Sequence, residues 1–212
     1  MPVRKLAGLV MMKKKVFDPK LQETDLAGKI GAGLERVSQA FKVLLWEKAK
    51  AFGLSPIQIQ ILVFVAHHHR ELANVSHLAQ EFNVTKPTIS DAVRVLGKKE
   101  LIIKDHSSAD SRSYTILLSD KGNEVVARTE DFAQPIYEQI NQLEGAEQTE
   151  LFRLLSKVIY QFNQKGILSV QRTCFACKFY SKSANGHYCN LLVQPLKEEE
   201  IRLDCLEFES KS

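Results

Sequence analysis

Between Ser55 and Leu118 the chain runs through a succession of helix starts, apolar stripes and alternating stretches that few folds accommodate. Ser55-Pro56-Ile57-Gln58 reads as a helix start. Ser55 can cap, Pro56 suits the first helical position, and Gln58 completes a capping box. The helix it opens, Ile57 to about His68, is apolar on most sides. A short helix follows from about Ser76 to Phe82, Asn83-Val84 makes a turn, and Thr85 caps a second helix reaching about Lys98. Pro87 is tolerated because it falls in the first turn, where the backbone donor is unpaired anyway. Two strand-like runs, Leu101–His106 and Tyr114–Leu118, flank a polar tip over 107–113. Tyr114, Ile116 and Leu118 alternate as a half-buried strand requires. Helix, helix, turn, helix and hairpin is the order of a winged helix-turn-helix, so the fold class is mainly α with a β-hairpin wing.

The Thr85–Lys98 helix divides cleanly. Ile89, Ala92, Val93 and Leu96 form one stripe and should pack inward. Thr85, Lys86, Thr88, Ser90, Asp91, Arg94 and Lys98 occupy the rest of its surface. Short polar and basic side chains at a helix N-terminus can donate to phosphates and reach base edges of double-stranded DNA. Arg94 suits a bidentate contact with guanine. Lys98 and Lys99 read as phosphate contacts or as solvated surface. At the hairpin tip, Arg112 is placed to enter a narrow minor groove, where the negative potential is enhanced, and Asp110 could hold its guanidinium.

On these residues the sequence resembles the MarR family of transcription regulators. The resemblance runs from Leu54 to Gly122. It rests on Leu54-Ser55-Pro56-Ile57-Gln58, on His77-Leu78-Ala79 with Val84, and on Thr88-Ile89-Ser90. Leu96-Gly97-Lys98-Lys99-Glu100-Leu101-Ile102, Asp110-Ser111-Arg112-Ser113 and Leu118-Ser119-Asp120-Lys121-Gly122 complete it. The chain departs from the family pattern at three positions. Ser111 replaces the first of two wing arginines, Glu100 stands where a glycine is common, and Asp91 replaces an arginine after the recognition-helix serine. The resemblance implies a homodimer on a palindromic operator, with N- and C-terminal helices of both subunits intertwined. The apolar stripes of 25–52 and 125–162 suit that role. It also opens a pocket for a small-molecule effector beside Trp46 and Phe41, as in related regulators of small phenolic compounds, although ordinary core aromatics are the simpler reading.

The remaining chain divides into a flexible tail over 1–24, the winged-helix domain with its long helices over 25–166, and a cysteine-bearing tail over 167–212. One long helix is expected from Ser119 to about Leu143 and another over 146–165, ended by Gly166. All four cysteines, Cys174, Cys177, Cys189 and Cys205, lie in the last segment. Such a cluster reads as metal binding or redox chemistry. Four thiolates fill a tetrahedral zinc site or hold an iron–sulfur cluster, with [4Fe–4S] the form expected. The spacing of a pair followed by two single cysteines resembles that of high-potential iron–sulfur proteins. A metal-free thiol switch and a zinc staple are the other readings. Phe175, Phe179, Tyr180, Tyr188 and Phe208 could keep water from a cluster, and His187 could replace one cysteine.

Charged residues make up 25% of the 212 and the net charge is +4, compatible with a nucleic-acid partner but not diagnostic of one. The N-terminus reads as a soluble tail, no membrane partner is expected, and a cytoplasmic setting is the default. His67-His68-His69 points three ways and should not converge on one ion. No phosphate loop or nucleophile elbow occurs, so no enzyme is expected. Two functions follow: a DNA-binding regulator tuned through its cysteines, or a redox or protein-interaction module that keeps the wing without specific DNA binding.

Overall fold

The computed structural model describes residues 15–107, 114–183 and 186–211. The chain falls into two compact units, residues 1–44 and 45–212. In the first, a short helix α1 (Pro19–Gln22) precedes α2 (Leu26–Ala51), whose last turns, from Leu45, belong to the second unit. The tail expected over 1–24 thus includes one helical turn. Asp25 starts α2 locally, its carboxylate accepting from the Gly28 amide at 3.2 Å.

The second unit opens with α3 (Pro56–His67), where Gln58 Oε1 accepts from the Ser55 amide at 2.9 Å, as its capping role requires. A 3-10 turn (Arg70–Leu72) leads to α4 (Val75–Glu81), capped by Asn74, and α5 (Lys86–Lys98), capped by Thr85. Asn83 supplies the left-handed residue (φ 53°) of the turn between them; asparagine tolerates that conformation better than most side chains. The wing strands β1 (Ile102–Asp105) and β2 (Thr115–Leu118) pair antiparallel, with Ile102 opposite Leu118 and Asp105 opposite Thr115. The Ile116 amide donates to the Ala73 carbonyl at 2.8 Å, pinning the wing to the turn after α3. Ile59, Ile61, Leu62, Leu78, Ile89, Val93, Leu96 and Ile116 are fully buried and form one core. Each is worth about 1.5–3 kcal/mol of transfer free energy.

Beyond the wing, α6 (Asp120–Ala127), a 3-10 turn (Glu130–Ala133) and α7 (Gln134–Ile140) stand where one helix to Leu143 was expected. Two residues break it. Thr129 is buried and its hydroxyl donates to the Val125 carbonyl at 2.8 Å, competing with the backbone ladder. Pro135 has no N–H to extend that ladder. Helix α8 (Gly145–Gln164) then runs up to Gly166, whose φ of 69° ends it. The tail builds a small antiparallel sheet that the sequence reading did not anticipate: β3 (Tyr180–Ser183), β4 (Gly186–Cys189) and β5 (Gln194–Leu196), with β4 central. Its last residues return to its first. The Cys174 amide donates to the Arg202 carbonyl, Cys205 to Arg172, and Lys178 to Glu209. Among the described residues no single helix is long and apolar enough to cross a membrane.

Candidate nucleic-acid interface and cysteine cavity

The α5 helix splits as its sequence demands. Ile89, Ala92, Val93 and Leu96 are buried, while Thr85, Lys86, Thr88, Ser90, Asp91, Arg94 and Lys98 are all exposed. Thr85 Oγ1 accepts from the Thr88 amide at 3.3 Å and meets the Thr88 hydroxyl at 2.9 Å. These contacts fix the first turn, whose free amide groups favour anions. Arg94 reaches back three residues to Asp91 at 2.9 Å. Both side chains are more than half exposed, so this pair is weakly held and can give way to another anion. Arg112 and Asp110 lie outside the described residues.

The four cysteines, far apart in sequence, line one cavity. Phe179, Tyr180, Leu191, Leu192 and Leu196 give it an apolar wall, and Glu200, Arg202 and Glu207 complete the lining. All four thiols are free. Among the described residues, no three histidine, cysteine, aspartate or glutamate side chains converge closely enough to hold a single metal ion. Burial pushes the Cys174 thiol up, partly offset by the Arg202 amide, which donates to its sulfur at 3.3 Å. The Arg202 guanidinium lies 3.6 Å from the Cys205 sulfur. His187 does not line this cavity in place of a cysteine. Its Nδ1 meets the Tyr180 hydroxyl at 2.5 Å and its Nε2 the Glu198 carboxylate at 3.1 Å. Burial, with Glu198 nearby, pushes the Tyr180 phenol up to about 12.

Comparison with known proteins bears on the first of these sites. Residues 52–113 match the sequence profile of the MarR family. The matched segment is the winged helix. The chain is similar to S. aureus MepR in complex with DNA, at 23% identity over 63% of this chain and 97% of that one, with a TM-score of 0.55. It is likewise similar to S. aureus MepR in a DNA-binding conformation, at 21% identity, 63% and 98% coverage and a TM-score of 0.56. A MarR transcriptional regulator from Methanosarcina mazei Go1 aligns at 18% identity, 64% and 96% coverage, and 0.54. At these identities the likeness is one of fold. No curated protein sequence matches the chain. The cysteine tail lies beyond the segment matched to the family.

That tail is fastened to the winged helix by Arg172. Its guanidinium donates to both Glu81 oxygens, at 2.7 and 3.0 Å, and to both Asp204 oxygens, at 2.5 and 3.0 Å. It also sits over the Phe64 ring, 5.5 Å from its centre. His68 Nε2 adds a contact to Asp204 at 2.9 Å while its ring stacks on Phe64. The Arg172 bonds, despite partial burial and with help from His68, hold the Asp204 carboxyl down at about 2. A second tie links the Ser169 hydroxyl to Asn83, in the turn before α5, at 3.1 Å. Sequence reasoning missed this clasp. Its partners lie 91 and 32 residues from Arg172, so no local spacing exposes it. The only clue was an arginine between Gln171 and Thr173 without a nearby acid.

Other expectations resolve individually. His67 turns to Glu130 at 2.7 Å and His68 to Asp204, so the histidine run diverges as its helical spacing requires. Phe179 and Tyr180 line the cysteine cavity, whereas Phe175 packs against Tyr160, Tyr180 and His187, and Phe208 lines a separate cleft beside His77 and Arg172. Trp46 is 63% exposed and Phe41 is also exposed, so neither is the core aromatic preferred from sequence.

Proposed function

We propose that this chain is a sequence-specific DNA-binding transcription regulator acting as a homodimer in the cytoplasm. The observation that carries this reading is α5: a helix anchored on one face by four buried apolar residues, offering seven exposed polar or charged ones on the other beside a β-hairpin. Two such helices enter successive major grooves of a palindromic operator, with Arg94 as the base-reading side chain and Lys86, Lys98 and Arg112 on the backbone. Support for the second copy comes from apolar side chains left exposed along α2 (Leu26, Ile30, Leu34, Val37) and α8 (Leu151, Leu154, Phe162). Exposed apolar surface on this scale marks an interaction face. That MepR has been crystallised on DNA supports the reading by analogy of fold. The cysteine tail, clasped to α4, is where a metal or redox signal enters.

The test is site selection from a random duplex pool, followed by affinity measured across a salt series. Specific binding should fall steeply with salt. Arg94→Ala should cost about 1–3 kcal/mol on the selected site and relax the base preference. Binding that is absent at every salt concentration would instead favour a protein-interaction module on a winged-helix scaffold.

A further inference from the structure

We propose that the cavity ringed by Cys174, Cys177, Cys189 and Cys205 is the seat of a [4Fe–4S] cluster, and that its occupancy sets how firmly the tail holds the winged helix. The second clause rests on the DNA-binding reading above; the first does not.

Three observations select a cluster over a single ion. The four thiols line one cavity, and among the described residues no three donors are gathered as a site for a single ion. Tetrahedral zinc, with bonds of about 2.3 Å, draws its thiolates to about 3.8 Å from one another. A cubane instead carries its four irons at alternate corners, one for each thiolate, so its ligands stand around a volume. Next, the wall is largely apolar, with Phe179, Leu191 and Leu192 among its members, which keeps water from a cluster. Lastly, Arg202 supplies donors to two of the sulfurs, its amide to Cys174 and its guanidinium to Cys205. Hydrogen bonds to ligand sulfur and a nearby positive charge are what an anionic thiolate-bound cluster calls for. On assembly each cysteine binds as the thiolate and its proton passes to solvent.

The site is wired to the reading head by its own ligands. Cys174 lies two residues after Arg172, and Cys205 directly follows Asp204. The Cys205 amide donates to the Arg172 carbonyl at 3.1 Å, and the Cys174 amide to the Arg202 carbonyl at 3.1 Å. A cluster bridging Cys174 and Cys205 therefore locks the two segments that carry the clasp. Without it, the tail has little core of its own, with Cys177 and Ile201 its only buried apolar residues among those described. A tail so poor in burial depends on a cross-link for order. Loss of the cluster frees Arg172 from Asp204, loosens its grip on Glu81, and so releases α4, which packs against α5.

The experiment uses the full chain, purified without oxygen and without a histidine tag, then reconstituted with ferric iron, sulfide and excess thiol, which gives up two electrons as it forms a disulfide and so brings four ferric ions to the mixed-valence [4Fe–4S]2+ state. Iron and acid-labile sulfide should appear in equal amounts, about four of each per chain, with a brown absorption that bleaches on reduction. Cys189→Ser should lose the iron and sulfide while keeping its helical circular dichroism. Zinc without sulfide, or no metal after reconstitution, would overturn the assignment, and these readings on the unmutated chain stand even if the variant fails to fold. Affinity for pool-selected DNA is then compared between the loaded chain and the same chain stripped by a chelator. A change of about tenfold is expected. Equal affinities would remove the coupling and leave the cluster. A loaded chain that binds no DNA in either form would sink the coupling together with the regulator reading, again leaving the cluster in place.

Discussion

Glu100 holds a backbone conformation that few glutamates tolerate. Its φ is 62°, and its side chain is largely exposed, with a 3.7 Å contact to Lys121. A side chain there meets the following carbonyl, which costs about 1–2 kcal/mol, whereas glycine has no such conflict. Glu100→Gly should raise stability by about 1 kcal/mol in denaturant unfolding, because the exposed pair it removes contributes little. A lower midpoint would show that the Lys121 contact matters more than its exposure suggests. His77 makes a second residue-scale case. Burial pushes its imidazole below the ordinary 6.5, while Glu81 pulls it up and Arg172 and His68 push it down. Its Nε2 lies 3.6 Å from Glu81, beyond hydrogen-bond reach. The folded chain therefore takes up this proton less readily than the unfolded one. Stability from His77 is full above about 6.5 and is lost as the pH falls from there through the lower folded value. Thermal midpoints measured across that window should drop less in His77→Gln than in the unmodified chain; parallel curves would assign the loss to other groups.

Among the elements, α5 was legible in the sequence because a 3.6-residue period over thirteen residues leaves one way to pack, and because Thr85 announced its start. The α6–α7 break was harder. The apolar period continues through it, and only Pro135 and the buried hydroxyl of Thr129 interrupt it. The tail sheet was not legible at all: three strands of three or four residues, set among cysteines and aromatics, show no alternation long enough to detect. The junction of wing and α6 shows how little space an element can leave. Ser119 Oγ accepts from the Gly122 amide at 3.0 Å and donates to the Glu100 carbonyl at 2.6 Å. A side-chain carbon on Gly122 would lie 2.0 Å from the Leu101 carbonyl oxygen. Gly122→Ala should therefore destabilise the unit by about 1–3 kcal/mol or more, since backbone, not a pliable side chain, must yield. Unchanged unfolding would mean that α6 pivots freely away from β1.

Over the whole molecule, the candidate sites divide by how far apart their parts lie in the chain. The residues of α5 and its cap that are proposed to face DNA fall within fourteen consecutive positions and could be picked out one by one. The cysteines could be chosen as a set, but their shared cavity and the arginine that fastens it could not, because those relations span the fold. Arg172→Met tests the fastening directly. It preserves the stacking length over Phe64 but leaves Glu81 and Asp204 without their cation. Equilibrium unfolding should lose about 1–3 kcal/mol, the range for breaking a charged hydrogen-bonded pair that is only partly buried. A variant as stable as the parent would reduce the clasp to a surface ornament.

The clasp closes through Asp204, while its other members, Phe64, His68, Glu81 and Arg172, precede it by at least 32 residues. On the ribosome, the reading head is therefore complete before the residue that ties it down has been made. A chain nicked by a protease between Arg172 and Asp204, or stalled before the latter, would carry an intact α5 and keep the Arg172–Glu81 and Ser169–Asn83 ties, but would lose the Asp204 half of the clasp. If the proposed coupling holds, such a fragment would still bind DNA but no longer respond through its cysteines, so damage to this region would uncouple the two sites and leave the first working.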